Sequence, residues 1–271
     1  MVPRLSLLAV FCLISMISVA GAKGLRVLAA GSLREVIGEI GGRYKEATGT
    51  AVTAEFGPSG LLRERIEKGE HVDLFASADM GHPLRLLQEG RATRVAMFTR
   101  NTLCGIAVPQ VDLTTANFLD RALDPGIKLG TSTPKADPAG DYTWTMFRRA
   151  DVLRPGSYEI LSGKAQQIVG GPSNSAAVDG KDPAVAALAS GRVDIVIGYC
   201  TSARLRLSQM AELQVAEVPR EIATGPEYGL AVLRGANPWA SDLALFMLSP
   251  DGQQIFARYG FAPIALPAPE R

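Results

Sequence analysis

From residue 25 onward, short apolar runs alternate with longer stretches in which apolar residues recur every three or four positions. The run L-R-V-L-A-A over 25–30 predicts a strand. The segment 33–47 predicts a helix with Val36, Ile37, Ile40 and Tyr44 on one face and Gly49 as its stop. The plan repeats with strand 51–56 and helix 60–68, closed by Gly69. V-D-L-F-A-S-A is a third strand, followed by helix 82–89 and Gly90. A long strand-like segment, R-V-A-M-F-T-R-N-T-L-C-G-I-A-V-P, interrupts the rhythm. It restarts with I-K-L-G-T-S-T and helix 139–149, then Q-Q-I-V-G-G and helix 183–190, then V-D-I-V-I-G-Y-C. L-Q-V-A-E-V-P and Y-G-L-A-V-L read as further strands, and 238–247 and 251–258 as closing helices.

Strands alternating with helices favour parallel sheets covered on both faces. Because the plan runs twice, an α/β protein of two lobes is expected, joined by extended crossings. Each lobe would be a mostly parallel sheet flanked by helices. The first would take residues 23–102 with a carboxyl-terminal return over about 236–271, and the second residues 103–235. Such sheets bind ligands outside the carboxyl ends of their strands. Two lobes face to face would therefore enclose a ligand in the cleft between them.

The first residues break this pattern. Met1–Ala22 holds one charged residue, Arg4, then the apolar run L-L-A-V-F-C-L-I-S-M-I and the small residues S-V-A-G-A. This is the form of a secretory signal peptide over 1–22, cleaved after about Ala22, and it implies a periplasmic, soluble product. Its removal takes away Arg4 and no acid, so the formal charge falls from +1 to 0. Basic and acidic residues are then interspersed, which speaks against nucleic acid as a partner. Cys12 leaves with the leader, and Cys104 and Cys200 remain in or beside strands. An exported protein can keep a disulfide; the spacing is compatible with a Cys104–Cys200 bond or with two separate buried thiols.

The candidate chemistry sits in the turns. In A-A-G-S-L-R-E, Ser32 opens a helix and Glu35 follows three residues later, which reads as a capping box. In F-G-P-S-G-L-L, Ser59 opens the next helix, with Leu62 where the acid would stand. The second lobe offers Asp137-Pro138-Ala139 and Asp182-Pro183-Ala184, each an N-cap with proline at the first helical position. A helix start presents unpaired N–H groups and a partial positive charge. Four of them converging would make a socket of neutral donors for a small anion.

Read together, A-A-G-S-L-R-E-V, F-G-P-S-G-L-L, V-D-L-F-A-S-A-D, D-P-A-G-D-Y, I-G-Y-C-T-S-A and F-A-R-Y-G-F resemble, in order and spacing, the periplasmic molybdate-binding proteins of ABC transporters. The resemblance covers nearly all of the chain after the leader. It implies a type II periplasmic binding protein, not an enzyme, that captures molybdate or tungstate by hydrogen bonds and delivers it to a membrane permease with its ATPase. It implies a monomer with no cofactor and no direct cation ligand, since the metal arrives as an oxyanion. Carried over by position, the ligand-binding residues are Ser32 and Ser59 through hydroxyl and N–H, Ala139 through its N–H, and Tyr199 through its phenol. A backbone N–H near Lys181 completes the set, in a stretch, 171–183, that aligns loosely. Pro58 departs from the pattern, because relatives often carry serine there and proline has no N–H to offer.

The same scaffold with another small anion, such as sulfate, phosphate or an organic anion, is the alternative. An exported hydrolase is a third reading, but no nucleophile–base pair supports it, and G-P-S-G-L lacks the second glycine of a nucleophile elbow. His71 and His82 read as surface residues without metal-ligand spacing. Asp73 and Asp79 read as structural, and Tyr142 and Trp144 as core or cleft wall. Lys181 is the exception to a neutral socket: its ammonium, turned inward, would favour a more charged or larger anion.

Overall fold

The computed structural model describes residues 24–173 and 180–264. The expected leader over 1–22 lies outside the described residues, as does 174–179 within the loosely aligned stretch. The first part of the chain runs β1 (Leu25–Ala30), α1 (Arg34–Thr48), β2 (Val52–Gly57), α2 (Ser59–Glu67), β3 (Leu74–Ser77), α3 (Gly81–Gln88) and β4 (Ala92–Arg100). The second runs β5 (Leu103–Ala107), α4 (Phe118–Leu123), β6 (Leu129–Ser132), α5 (Pro138–Leu153), α6 (Ser157–Lys164), β7 (Gln166–Val169), α7 (Pro183–Ala189), β8 (Ile195–Tyr199), α8 (Ala203–Gln209) and β9 (Gln214–Glu217). The chain then returns through β10 (Glu227–Leu233), α9 (Trp239–Leu248) and α10 (Pro250–Arg258).

These form two five-stranded sheets, ordered β2-β1-β3-β10-β4 and β7-β6-β8-β5-β9. In each sheet four strands run one way and one runs against them. The reversed strands, β10 and β5, are those by which the chain enters from the other lobe. Their first residues stand opposite the carboxyl ends of their new neighbours, Leu103 against Tyr199 and Glu227 against Arg100. A chain arriving from the cleft side starts at that edge and must run backwards through the sheet.

Local signals shape most helices as expected. Val36, Ile37, Ile40 and Tyr44 form the buried face of α1, which ends where Gly49 takes φ 75° and donates its N–H to the Lys45 carbonyl at 2.8 Å. Asp137 and Asp182 cap α5 and α7, each accepting from the N–H two residues on. The capping box at Ser32 does not form. A short 3-10 turn, Gly31–Leu33, precedes α1 instead, and the Ser32 hydroxyl bonds the Tyr228 hydroxyl at 2.9 Å.

Two boundaries differ from expectation. The long apolar segment after helix α3 is two strands in different sheets, separated at Asn101-Thr102. The return to the first lobe begins with β10, at Glu227 rather than near residue 236, because that strand fills the place between β3 and β4. Cys104 in β5 and Cys200 just beyond β8 form a disulfide with a Cα–Cα distance of 4.9 Å.

The bond closes a loop of 96 residues, which removes chain entropy mainly from the unfolded state. The Cys104→Ser/Cys200→Ser double variant is expected to lose about 2–5 kcal/mol in denaturant unfolding. An unchanged midpoint, with or without reductant, would show that the bond contributes nothing in solution.

Candidate ligand-binding site

The carboxyl ends of β1, β2, β6, β7 and β8 surround one cavity of about 350 Å³ between the lobes. Lining it are the turns that open α1, α2, α5 and α7, represented by Gly31, Gly57, Ala139 and Asp182. Helix starts of both lobes thus meet at one place, which concentrates donors and partial positive charge there.

Four of the five expected residues, Ser32, Ala139, Lys181 and Tyr199, line this cavity. The Ser32 hydroxyl is half of a pair with the Tyr228 hydroxyl, whose oxygen also accepts from Asn101 Nδ2 at 3.0 Å. Either hydroxyl can be the donor of that pair, and when Tyr228 gives its proton to Ser32 the serine proton is left for the cavity. Tyr199 is 5% exposed, and its hydroxyl lies 3.5 Å from the Ala78 carbonyl across the cleft. That distance is long for an O–H···O bond, so the Tyr199 proton is held only weakly there. Burial holds both tyrosine hydroxyls neutral, raising their pKa well above the ordinary value.

The remaining positions are arranged differently. Ser59 is fully buried behind the wall and accepts the Ala78 N–H at 3.1 Å; its neighbours Pro58 and Ala78 form the lining. The Ala139 N–H is occupied by the Asp137 carboxylate at 3.2 Å. Lys181 is exposed at the rim.

Charge enters where a neutral socket was expected. Asp137 lines the cavity and is gripped by the Ser132 hydroxyl at 2.9 Å as well as by Ala139. Burial pushes its carboxyl above the usual range, against the two hydrogen bonds that favour ionisation. Arg206, which no motif pointed to, also lines the cavity, and its Nε donates to Asp182 Oδ1 at 3.2 Å. A sequence signal for it existed. Ala203, Arg206, Leu207 and Met210 share one helical stripe, so an arginine stands among residues that pack inward.

Across the cleft, the Gly60 N–H of α2 donates to the Ala136 carbonyl of the second lobe at 2.9 Å. A Cβ at Gly60 would lie 2.4 Å from the Lys135 carbonyl oxygen. His82 is not a surface residue. Its ring is 11% exposed, packed between Arg63 and Asp79, and its pKa is lowered chiefly by burial. Asp73 accepts the Arg26 and Asn237 N–H groups, and Asp79 accepts from Ser77 and His82, so both are structural. Trp144 packs on Phe147, and the Tyr142 hydroxyl accepts the Glu227 N–H. Among the described residues no cluster of histidine, cysteine or carboxylate could hold a metal ion.

The model of the bacterial extracellular solute-binding protein family matches residues 25–262. The chain is 35% identical over 240 residues to an uncharacterised protein of Pasteurella multocida (strain Pm70), covering 88% of this chain and 98% of that protein. It is 27% identical to the molybdate-binding protein ModA of Escherichia coli (strain K12), covering 87% of each. Among solved structures, the sulfate-binding protein SubI of Mycobacterium tuberculosis H37Rv superposes with a TM-score of 0.74 at 16% identity, covering 89% of this chain and 87% of that one.

The geometry generates two expectations. Gly60→Ala should hold the lobes apart and weaken ligand binding about tenfold or more, since overpacking of this kind costs roughly 1–3 kcal/mol. Unchanged affinity by calorimetry would mean that the lobes need not meet at Gly60. The second concerns pH. Because the folded-state pKa of Asp137 is raised, the stability linked to its neutral form is present at low pH and lost as pH rises through that pKa. An anion beside it raises the pKa further, so anion affinity should increase as pH falls through the same window. Asp137→Asn, which keeps the capping carbonyl, should remove this slope; a slope that persists in the variant would belong to another group.

Proposed function

We propose that this chain, which belongs to the bacterial extracellular solute-binding protein family, captures molybdate or tungstate in the periplasm and delivers it to an ABC permease with its ATPase. Membership in that family makes it a binding protein and not an enzyme. The observation that carries the ligand reading is the convergence of four strand–helix turns, two from each lobe, on one cavity with Ser32 and Tyr199 at its wall. Both hydroxyls have a proton to give, and a fully deprotonated tetrahedral oxyanion takes only donors. Likeness to a molybdate-binding protein over most of both chains supports the same choice. Export through the leader at 1–22 and action as a monomer belong to this proposal, as do Ser59, Ala139 and the backbone near Lys181 as further contacts.

Sulfate or phosphate in the same cleft is the second reading. The Asp137 carboxyl favours it for phosphate, because an anion that keeps a proton needs an acceptor and Asp137 supplies one. The likeness to a sulfate-binding structure shows a shared fold.

Calorimetric titration of the mature protein with molybdate, tungstate, sulfate and phosphate separates the two. Tight one-to-one binding of molybdate or tungstate is expected, and sulfate displacing molybdate at equal concentration would overturn the choice. Ser32→Ala should weaken binding more than tenfold, the loss of a desolvated donor worth roughly 1–3 kcal/mol. Ser59→Ala should also lower the unfolding midpoint, because it leaves the Ala78 N–H without its acceptor.

A further inference from the structure

Arg206 has a feature that its role in the fold does not use. The residue is 6% exposed, on the buried stripe of α8, and a guanidinium withdrawn from water to this degree is costly unless its donors are met. Its Nε is met by Asp182 Oδ1. Its Nη1 is buried with no hydrogen-bond partner among the described residues. The guanidinium lies over Gly198 of β8, where a Cβ would stand 3.1 Å from Nη1, and both residues line the interlobe cavity. Any larger residue at 198 would crowd the guanidinium against the wall. Asp182, itself the cap of α7 at the cavity edge, fixes the other end of the group.

We infer that Arg206 is a ligand-binding residue, its guanidinium donating a charge-assisted hydrogen bond to an oxygen of the anion in the cleft while Asp182 positions the group through Nε. The inference rests on the reading of the cleft as an anion site and changes how that site works. A socket of neutral donors selects by size and by protonation state. A guanidinium anchored on one side by a carboxylate adds a fixed positive charge with planar geometry, which suits the oxygens of any oxyacid anion. The shared ligand chemistry is a delocalised oxyanion, whether on a metal centre, sulfur, phosphorus or carbon. The cavity of about 350 Å³ exceeds the volume of a single tetrahedral oxyanion, roughly that of a few waters at about 30 Å³ each, so a carboxylate with a short carbon chain also fits.

The test compares wild-type protein with Arg206→Gln and Arg206→Lys by calorimetry against molybdate, sulfate, phosphate and malonate. Thermal unfolding of each ligand-free protein is recorded alongside. For whichever anion the wild type binds, Arg206→Gln is expected to lose roughly ten- to hundredfold in affinity. Arg206→Lys should recover part of that loss, and the unfolding midpoints should stay close together. Binding by Arg206→Gln within threefold of wild type overturns the inference and leaves the anion site standing. Wild-type binding of malonate or phosphate with silence toward molybdate overturns the molybdate reading, and the arginine comparison then proceeds on that ligand. Silence of the wild type toward all four anions overturns both. Should Arg206→Gln fail to fold because Asp182 is left unpaired, Arg206→Gln combined with Asp182→Asn removes both charges and carries the same comparison.

Discussion

The cleft depends on one buried polar junction at the waist of the molecule, where the two crossings of the chain meet. The Asn101 N–H donates to the Pro226 carbonyl at 3.0 Å, so the outgoing and returning segments are held together as they pass. The Asn101 side chain then donates to Thr201 in the second lobe and to Tyr228 on the returning strand, and Tyr228 reaches Ser32 in the first. Every member is buried or half-buried, and a network in low dielectric holds only if its groups are satisfied together. Packing reinforces it, with the Tyr228 ring against Tyr199, Phe98 and Phe261. The disulfide lies close by, between β5 and the end of β8. Two cavity residues, Ser32 and Tyr199, are thus held by contacts at this junction.

The same junction explains the sheet topology. Crossing at the cleft edge obliges β5 and β10 to enter against their neighbours, while β1, β2, β6, β7 and β8 end at the cavity. The turns that open α1, α2, α5 and α7 bring the first residues of those helices to the gap. Opposing charges are then layered on this field of donors. Asp137 and Asp182 consume some of the donors as caps, while Arg206 brings a cation that is only half paired. The site is less neutral than its turns suggest. Its charges are held by one another more than by solvent.

Much of this was legible from the chain. Helix α1 and its stop at Gly49 follow from a 3.6-residue apolar stripe and a left-handed cap, both local properties. Asp137-Pro138 and Asp182-Pro183 announce helix starts because a cap acts within two residues of itself. Ser32 misled as a cap for an equally physical reason. Its hydroxyl met a better partner, Tyr228, 196 residues away, and the helix opened through a 3-10 turn instead. His82 read as a surface residue, yet α3 turns it inward against Arg63.

What the sequence by itself determined is the order of elements, the two-fold run of the α/β plan and the small hydroxyls and caps at the turns. Each of these is written in periodicities and contacts spanning a few residues. Only the tertiary structure decided that β10 belongs to the first sheet, that Ser59 lies behind the wall supporting Ala78, and that Asp137 and Arg206 share a cavity with Ser32. Those outcomes depend on which groups are desolvated together by chain segments far apart in sequence. No local pattern records that, because the cost of burying a charge and the partner that offsets it arise only once the lobes meet.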